Sequence, residues 1–198
     1  MGLTVMVLLL AAAIGWLAGG SWVALVALPL RDRWLVAVAV AAQLAGAAIS
    51  SATGRGYVAG LALSAFVALA FCLRNLRIAG VPLVAAGLIC NAVVVGLNGS
   101  MPVSIDAAAR ANVPILSIAT GSDPRHSVAG TGSTLRILGD VIPVPLPIRP
   151  EVVSPGDTLV AAGLAEWLVL GMRRRAQPRG RRRSNDDPAT ATAAVTVA

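Results

Sequence analysis

The chain has 198 residues, of which 57% are hydrophobic and only 13% charged, and its formal net charge is +7. The composition excludes an ordinary soluble domain, because apolar runs near the length of a bilayer crossing recur through the first hundred residues. All 16 basic residues are arginine, a bias that, with the abundance of Ala, Val and Gly, is typical of a high-GC bacterial genome. We therefore expect a multi-pass bacterial membrane protein.

Four apolar segments make up residues 1–97, which predicts a four-helix membrane bundle. The first segment, residues 3–30, either continues through the pair Gly19-Gly20 or breaks there and leaves an interfacial piece near Trp22. It lacks a basic start and a clear cleavage site, so we expect a retained helix rather than a signal peptide. The other three segments are residues 34–49, 57–73 and 78–97.

The pattern changes at residue 98. Residues 98–157 are polar and rich in Pro, Gly and Ser, and β-branched pieces at 135–138 and 141–144 predict short strands in an extracytoplasmic loop. A last apolar segment, residues 158–172, is short for a crossing. Residues 173–198 predict a basic and then disordered cytoplasmic tail. The predicted fold is an all-α bundle of about five transmembrane helices with one external loop.

The arginine distribution predicts the orientation of these five crossings. An external N-terminus places the seven tail arginines in the cytoplasm, together with Arg31, Arg33, Arg74 and Arg77. Only Arg55 and the four loop arginines then stay outside, where acidic residues balance them. Because cytoplasmic loops carry the excess of arginine, we expect an inner-membrane protein with an external N-terminus and a cytoplasmic C-terminus.

Glu166 is the one acidic side chain deep within an apolar segment. An unpaired carboxylate there costs several kcal/mol, so we expect it to face the bundle interior, a cavity or a partner. Gln43 and Asn91 are candidate hydrogen-bond partners. One interpretation is a proton-binding or ligand-binding carboxylate. The other, which we favour, is a neutral, hydrogen-bonded side chain with a structural role.

The loop contains a possible nucleophile and base, Ser100 and His126. Ser-Met followed closely by Pro is similar to the nucleophile box of signal peptidases, but here Met101 and Pro102 are adjacent, without the spacer. The chain has no lysine, so a hydrolase would need His126 within hydrogen-bond reach of Ser100. A single histidine does not predict a metal site. We expect no enzyme, no metal and no cofactor, with His126 stabilising the loop.

The arginines after the last apolar segment have two interpretations. Clustered guanidinium groups just inside a membrane attract anionic lipid headgroups, at about 1 kcal/mol each, and they also fix topology. Nucleic-acid binding is the alternative, but no interleaved aromatic residues accompany the cluster. We expect no nucleic-acid partner, and contact with the bilayer and its anionic lipids through Arg173, Arg174 and Arg175.

Three motifs in the loop region have local structural interpretations. The first ends the fourth helix, since Asn and Gly tolerate the left-handed conformation that closes a last turn, and the nearby proline stops the helix from resuming. The other two place an aspartate after a glycine, where it accepts backbone N–H bonds or caps the last helix. The motif residues are Asn98, Gly99, Met101, Pro102, Gly139, Asp140, Gly156 and Asp157.

The three motifs occur in this order, with His126 between the first and the second. In this arrangement the chain resembles a family of bacterial integral membrane proteins, domain of unknown function 5317. The resemblance covers about residues 1–172 and leaves out the tail. It implies a fold type and a membrane location but no reaction, because the family has no established activity. A glycine near the position of Ser100 in the family's first motif argues against a catalytic serine.

Three function classes follow. We favour a non-enzymatic accessory or scaffold component, which would bind another membrane protein or a second copy of itself. A small proton-coupled transporter would instead need an aqueous cavity reaching Glu166. A signal-peptidase-like hydrolase would need Ser100 and His126 side by side.

Overall fold

The computed structural model describes residues 2–53, 57–120, 123, 125–147 and 149–174. These residues are mostly helical, as predicted. The predictions for Arg55, for Arg175 and for the tail beyond it fall outside the described residues. The helices are α1 (Gly2–Leu17), α2 (Trp22–Val26), α3 (Trp34–Thr53), α4 (Tyr57–Arg74), α5 (Val81–Asn98), α6 (Ile105–Ala111), α7 (Leu116–Ala119) and α8 (Pro155–Arg173).

The first apolar segment forms two helices. α1 ends at Leu17, and Gly19 adopts a left-handed backbone conformation with φ of 78°. The hydroxyl of Ser21 then accepts the N–H groups of Val23 and Ala24, which starts α2. Of the two alternatives that the sequence leaves open, the break at the glycine pair is the one observed.

The long helices are neighbours in the order α3, α4, α5, α8, α1. α8 is last in the sequence, yet it lies between α5 and α1. α1 therefore packs mainly on α8 and not on the helices that follow it in the chain. The short helix α2 also contacts α8.

Glycines allow α5 and α8 to approach each other closely. A Cβ atom on Gly163 would lie 2.5 Å from the carbonyl oxygen of Gly80 and 2.8 Å from the Val84 nitrogen. A Cβ atom on Gly87 would overlap the carbonyl oxygen of Gly156. The residue numbers rise from Gly80 to Gly87 on one side of the contact and fall from Gly163 to Gly156 on the other, so the helices are antiparallel. Their backbones touch at points where a side chain would hold them apart.

Two of the described helices are long and apolar enough to cross a membrane, by length and composition. They are Trp34–Ala52 and Val81–Asn98. Gly2–Leu17 and Ala59–Arg74 are apolar but shorter. Large apolar side chains are exposed along these helices, including Leu9, Leu17, Leu44, Phe66 and Leu97.

The connecting region is residues 99–154, and its described part contains four three-residue strands. β1 (Met101–Val103) pairs in parallel with β2 (His126–Val128), and β3 (Ile142–Val144) pairs antiparallel with β4 (Glu151–Val153). The prediction of short strands is confirmed for 141–144 but is wrong for 135–138. Leu135 takes a left-handed conformation, with φ of 52°, and residues 136–138 form a single 3₁₀ turn.

Candidate functional site

The predicted motifs meet at one end of the helical row, called the loop end, where the connecting region joins α5 and α8. Asn98 fixes this junction, because its Oδ1 accepts the Thr134 N–H at 2.8 Å and its Nδ2 donates to the Thr134 carbonyl at 2.9 Å. Gly99 ends α5 in the left-handed conformation, with φ of 77°. The predicted helix end at Asn98-Gly99 is therefore observed, and it is also tied to the connecting region.

The second motif adds a third segment beside β1. The Asp140 N–H donates to the Pro102 carbonyl at 2.9 Å, and the Ser104 N–H donates to the Asp140 carbonyl at 2.9 Å. A Cβ atom on Gly139 would overlap the Pro102 carbonyl oxygen. Met101 and Pro102 are buried in this contact. Gly139 thus permits the close approach that places the Asp140 backbone beside β1.

The third motif forms the start of α8. Ser154 is the N-cap, since its Oγ accepts the Asp157 N–H at 2.9 Å while the Asp157 carboxylate accepts the Ser154 N–H at 3.4 Å. This is a capping box, which satisfies two N–H groups that a helix leaves free. The predicted capping role of Asp157 is observed, but α8 begins at Pro155, three residues before the predicted start.

Asn91 of α5 binds Ser154 and Asp157 across the interface between α5 and α8. Its Nδ2 donates to Asp157 Oδ1 at 2.7 Å, and its Oδ1 accepts the Ser154 hydroxyl at 2.9 Å. A Cβ atom on Gly156 would overlap this side-chain oxygen. Asn91 therefore pairs with the third motif, and the expected contact with Glu166 is not formed.

His126 lies between two carboxylates. Its Nδ1 is 2.9 Å from Asp123 Oδ2, and its Nε2 is 3.5 Å from Asp140 Oδ2. Arg125 also binds Asp123 through two contacts of 3.0 Å. The hydrogen bonds from Arg125 hold the pKa of Asp123 well below its usual range, against the opposing effect of burial. The His126 side chain thus links β2 to the segment that carries Asp140, as expected for a residue that stabilises the loop.

Asp140 is the buried acid of this site, with 4% of its surface exposed. Burial raises its pKa to about 7, and the negative charges of Asp157 and Glu151 act in the same direction. A carboxyl with this pKa can hold a proton at neutral pH and release it at slightly higher pH.

Glu151 is a residue of this end that the sequence patterns did not single out. Its carboxylate accepts the N–H groups of Gly2 and Leu3, the first with an N–O distance of 2.9 Å. Burial acts to raise the pKa of Glu151, but the charged amino terminus, together with the hydrogen bonds from Leu3 and Gly2, outweighs burial and lowers the pKa. The side chain stabilises the positive end of α1 and fixes it to β4. Because the two partners lie about 150 residues apart, no local pattern could have indicated the contact.

Residues 27–169 match the sequence model of a family of unknown function, DUF5317. The chain belongs to this family. The match contains all three motifs, and it begins after α1, whereas the sequence resemblance was placed over about residues 1–172. The curated proteins and the solved structures contain no match to the chain.

Glu166 of this DUF5317 chain does not face the bundle interior. It is exposed on α8. Of the three environments expected for it, the bundle interior is therefore not observed, and contact with a partner stays a prediction. Gln43 is half-buried on α3, a helix that packs on α4 rather than on α8. The structure therefore does not bring Glu166, Gln43 and Asn91 together.

All three motifs make hydrogen bonds within the fold. Both ring nitrogens of His126 face carboxylates, and no hydrogen bond joins His126 to Ser100 among the residues that the structure describes. Within the same residues, no group of three or more His, Cys, Asp or Glu side chains is placed to hold a metal ion.

Proposed function

We propose that this DUF5317 protein is a non-enzymatic accessory component of the bacterial inner membrane, crossing the bilayer with α1, α3, α4, α5 and α8. The exposed apolar side chains of these helices support a lipid environment, because apolar surface of this extent is unfavourable in water. Leu17, for example, is 77% exposed and Phe66 is 70% exposed. At about 1.5 Å per residue, the 16 residues of α1 are short for a crossing, which a locally thinner bilayer or the interfacial α2 can accommodate.

The charges at the two ends support an external N-terminus. The end opposite the loop end, here called the arginine end, carries six described arginines and one acid, Asp32. The loop end has four described arginines and five acids. Since arginine is retained on the cytoplasmic side, the arginine end is assigned to the cytoplasm. The arginines of the arginine end are Arg31, Arg33, Arg74, Arg77, Arg173 and Arg174.

The position of Glu166 is the observation that supports the accessory role. Its carboxyl group is exposed midway along α8, on the same face as Thr158, Ala162 and Leu170, which are also exposed. A carboxyl facing lipid costs several kcal/mol, whereas a partner helix with a hydrogen-bond donor removes that cost. We therefore assign this face of α8 to a second membrane helix, from another protein or from a second copy.

The two other function classes have less support. A transporter built on Glu166 lacks its expected partners, because Asn91 is bound to Ser154 and Asp157. A hydrolase lacks a free base, because each nitrogen of His126 faces a carboxylate.

Reporter fusions test the proposed topology. Alkaline phosphatase fused after Ala198 is expected to be inactive, because the enzyme folds only outside the cytoplasm, while an insertion at the exposed Gly132 is expected to be active. Activity of the Ala198 fusion, or inactivity of the Gly132 insertion, would contradict the orientation.

Substitution of Glu166 tests the accessory role. In mild detergent, the wild-type protein is expected to elute with a stoichiometric partner or as a dimer, and Glu166→Ala is expected to reduce the bound fraction about tenfold. Glu166→Gln, which can still form hydrogen bonds, should retain most of it. Gln43→Leu, at a polar position away from α8, is the control and should have no effect. A wild-type monomer without partners, or equal association of Glu166→Ala, would contradict the role.

A further inference from the structure

At the arginine end, the side chain of Asn75 connects two turns and is buried, with 4% of its surface exposed. Its Oδ1 accepts the Arg31 N–H at 2.8 Å, and its Nδ2 donates to the carbonyl groups of Arg31 at 3.0 Å and Phe71 at 2.8 Å. These bonds connect the turn between α2 and α3 to the turn between α4 and α5. The arginines on the two turns are therefore fixed relative to each other at the backbone.

The end of α8 joins the same surface. The Ser21 N–H donates to the Met172 carbonyl at 2.8 Å, which fixes the start of α2 against α8. Arg174 lines a narrow crevice together with Leu28, Ile78, Ala79, Trp167, Leu170 and Gly171. Three chain segments thus meet here, and Arg77 immediately precedes one of the crevice residues, Ile78.

The guanidinium groups of this surface are exposed, and most have no acidic partner. Arg74 is paired with Asp32. Arg31, Arg77 and Arg174 are also exposed, and none of the described carboxylates lies within ion-pair distance of them. Glu166 lies eight residues before Arg174, about 12 Å along the helix axis, and so it does not neutralise these charges.

An apolar surface lies on α2 and ends four residues before Arg31. Trp22, Val23, Val26 and Ala27 form an open depression of about 380 Å³ with almost no polar atoms. It lies on the face of α2 opposite Leu25, the residue that contacts α8 at Gly171. A phosphate alone, or a nucleic acid, would use the arginines and leave this depression empty. An anionic phospholipid would use both, because it joins a phosphate to acyl chains.

We propose that the arginine end binds an anionic phospholipid, with the phosphate between Arg31, Arg77 and Arg174 and an acyl chain along α2. The proposal rests on the membrane location given above, and it assigns a lipid site to the folded turns rather than to the tail. Guanidinium groups bind phosphate oxygens through paired N–H donors, which suits a fixed arrangement of arginines.

The test measures lipids retained by the purified full-length protein in detergent, by native mass spectrometry, after titration with phosphatidylglycerol or phosphatidylcholine. The wild-type protein is expected to retain phosphatidylglycerol at least tenfold more strongly. The triple variant Arg31→Gln, Arg77→Gln, Arg174→Gln should lose this preference. The corresponding lysine variant, which keeps the charge but not the paired donors, should keep only part of it, and Trp22→Ala with Val26→Ala should weaken it.

A matched control removes the same charge from the other end. The variant Arg110→Gln, Arg136→Gln, Arg149→Gln changes three arginines that are exposed at the loop end, and it should retain the wild-type preference. Equal retention of both lipids, loss in this control, or displacement of lipid by millimolar inorganic phosphate would overturn the site. Partition of the wild-type protein into the aqueous phase of a detergent phase separation would instead overturn the membrane location itself.

Discussion

Gly87→Ala is expected to destabilise the folded protein by about 1–3 kcal/mol or more, the usual cost of overfilling a packed contact. The added methyl group would overlap the Gly156 carbonyl oxygen and lie 2.9 Å from the Val160 nitrogen. Both atoms belong to the α8 backbone, which cannot move aside as a flexible side chain can. Thermal unfolding in detergent, followed by loss of the monodisperse peak in size-exclusion chromatography, measures the effect.

Gly96→Ala is the control on the same helix. A Cβ atom at Gly96 has no neighbour within 4 Å, and alanine in a helix interior is favoured over glycine by up to about 1 kcal/mol. The two substitutions are chemically identical and are expected to shift stability in opposite directions. Equal effects of the two would contradict the close contact of α5 with α8.

Asp140→Asn is expected to stabilise the protein increasingly as the pH rises. Burial raises the pKa of Asp140 from its ordinary value of 3.8 to about 7, so the folded protein holds a proton that the unfolded chain releases. Below about pH 4 the carboxyl is protonated in both states and does not change the free energy of unfolding. As the pH rises from about 4 through about 7, the free energy of unfolding falls by up to about 4 kcal/mol. Asparagine is close in shape and does not ionise, so the variant avoids this loss.

The measurement is the difference in free energy of unfolding between variant and wild type, from denaturant titrations between pH 4 and 8. Because this is a difference, the contributions of titratable groups that do not interact with Asp140 cancel. Asp106→Asn, at an exposed position in the first turn of α6, is the control, and its difference from the wild type should stay below about 1 kcal/mol. A difference for Asp140→Asn that does not change with pH would contradict the prediction.

The sequence predicts the local elements well, because their causes are local. Apolar runs locate α3, α4 and α5, and Asn98-Gly99 marks the end of α5. The capping box from Ser154 to Asp157 was also readable, since a serine followed three residues later by an acid is a signal for a helix start. The start of α8 could therefore have been predicted correctly.

The positions of the side chains relative to the bundle could not be predicted in the same way. Lipid and neighbouring helices are both apolar, so an apolar helix does not reveal from its pattern which face is inside. Glu166 was expected to face the bundle interior, a cavity or a partner, and the structure excludes the first by exposing it on α8. The Asn75 contacts and the capping of α1 by Glu151 each join residues that are far apart in the sequence, and they depend on the tertiary fold.

The placement of α8 between α5 and α1 has a consequence for synthesis. α1 emerges first, but the helix it packs against and the carboxylate that caps its first turn both belong to residues 151–173. At about 5–20 residues per second, the ribosome needs about 10–30 s to reach them. During that interval α1 has neither α8 nor the Glu151 carboxylate as a partner, so its final docking is a late step of folding. Any truncation before residue 151 removes both contacts.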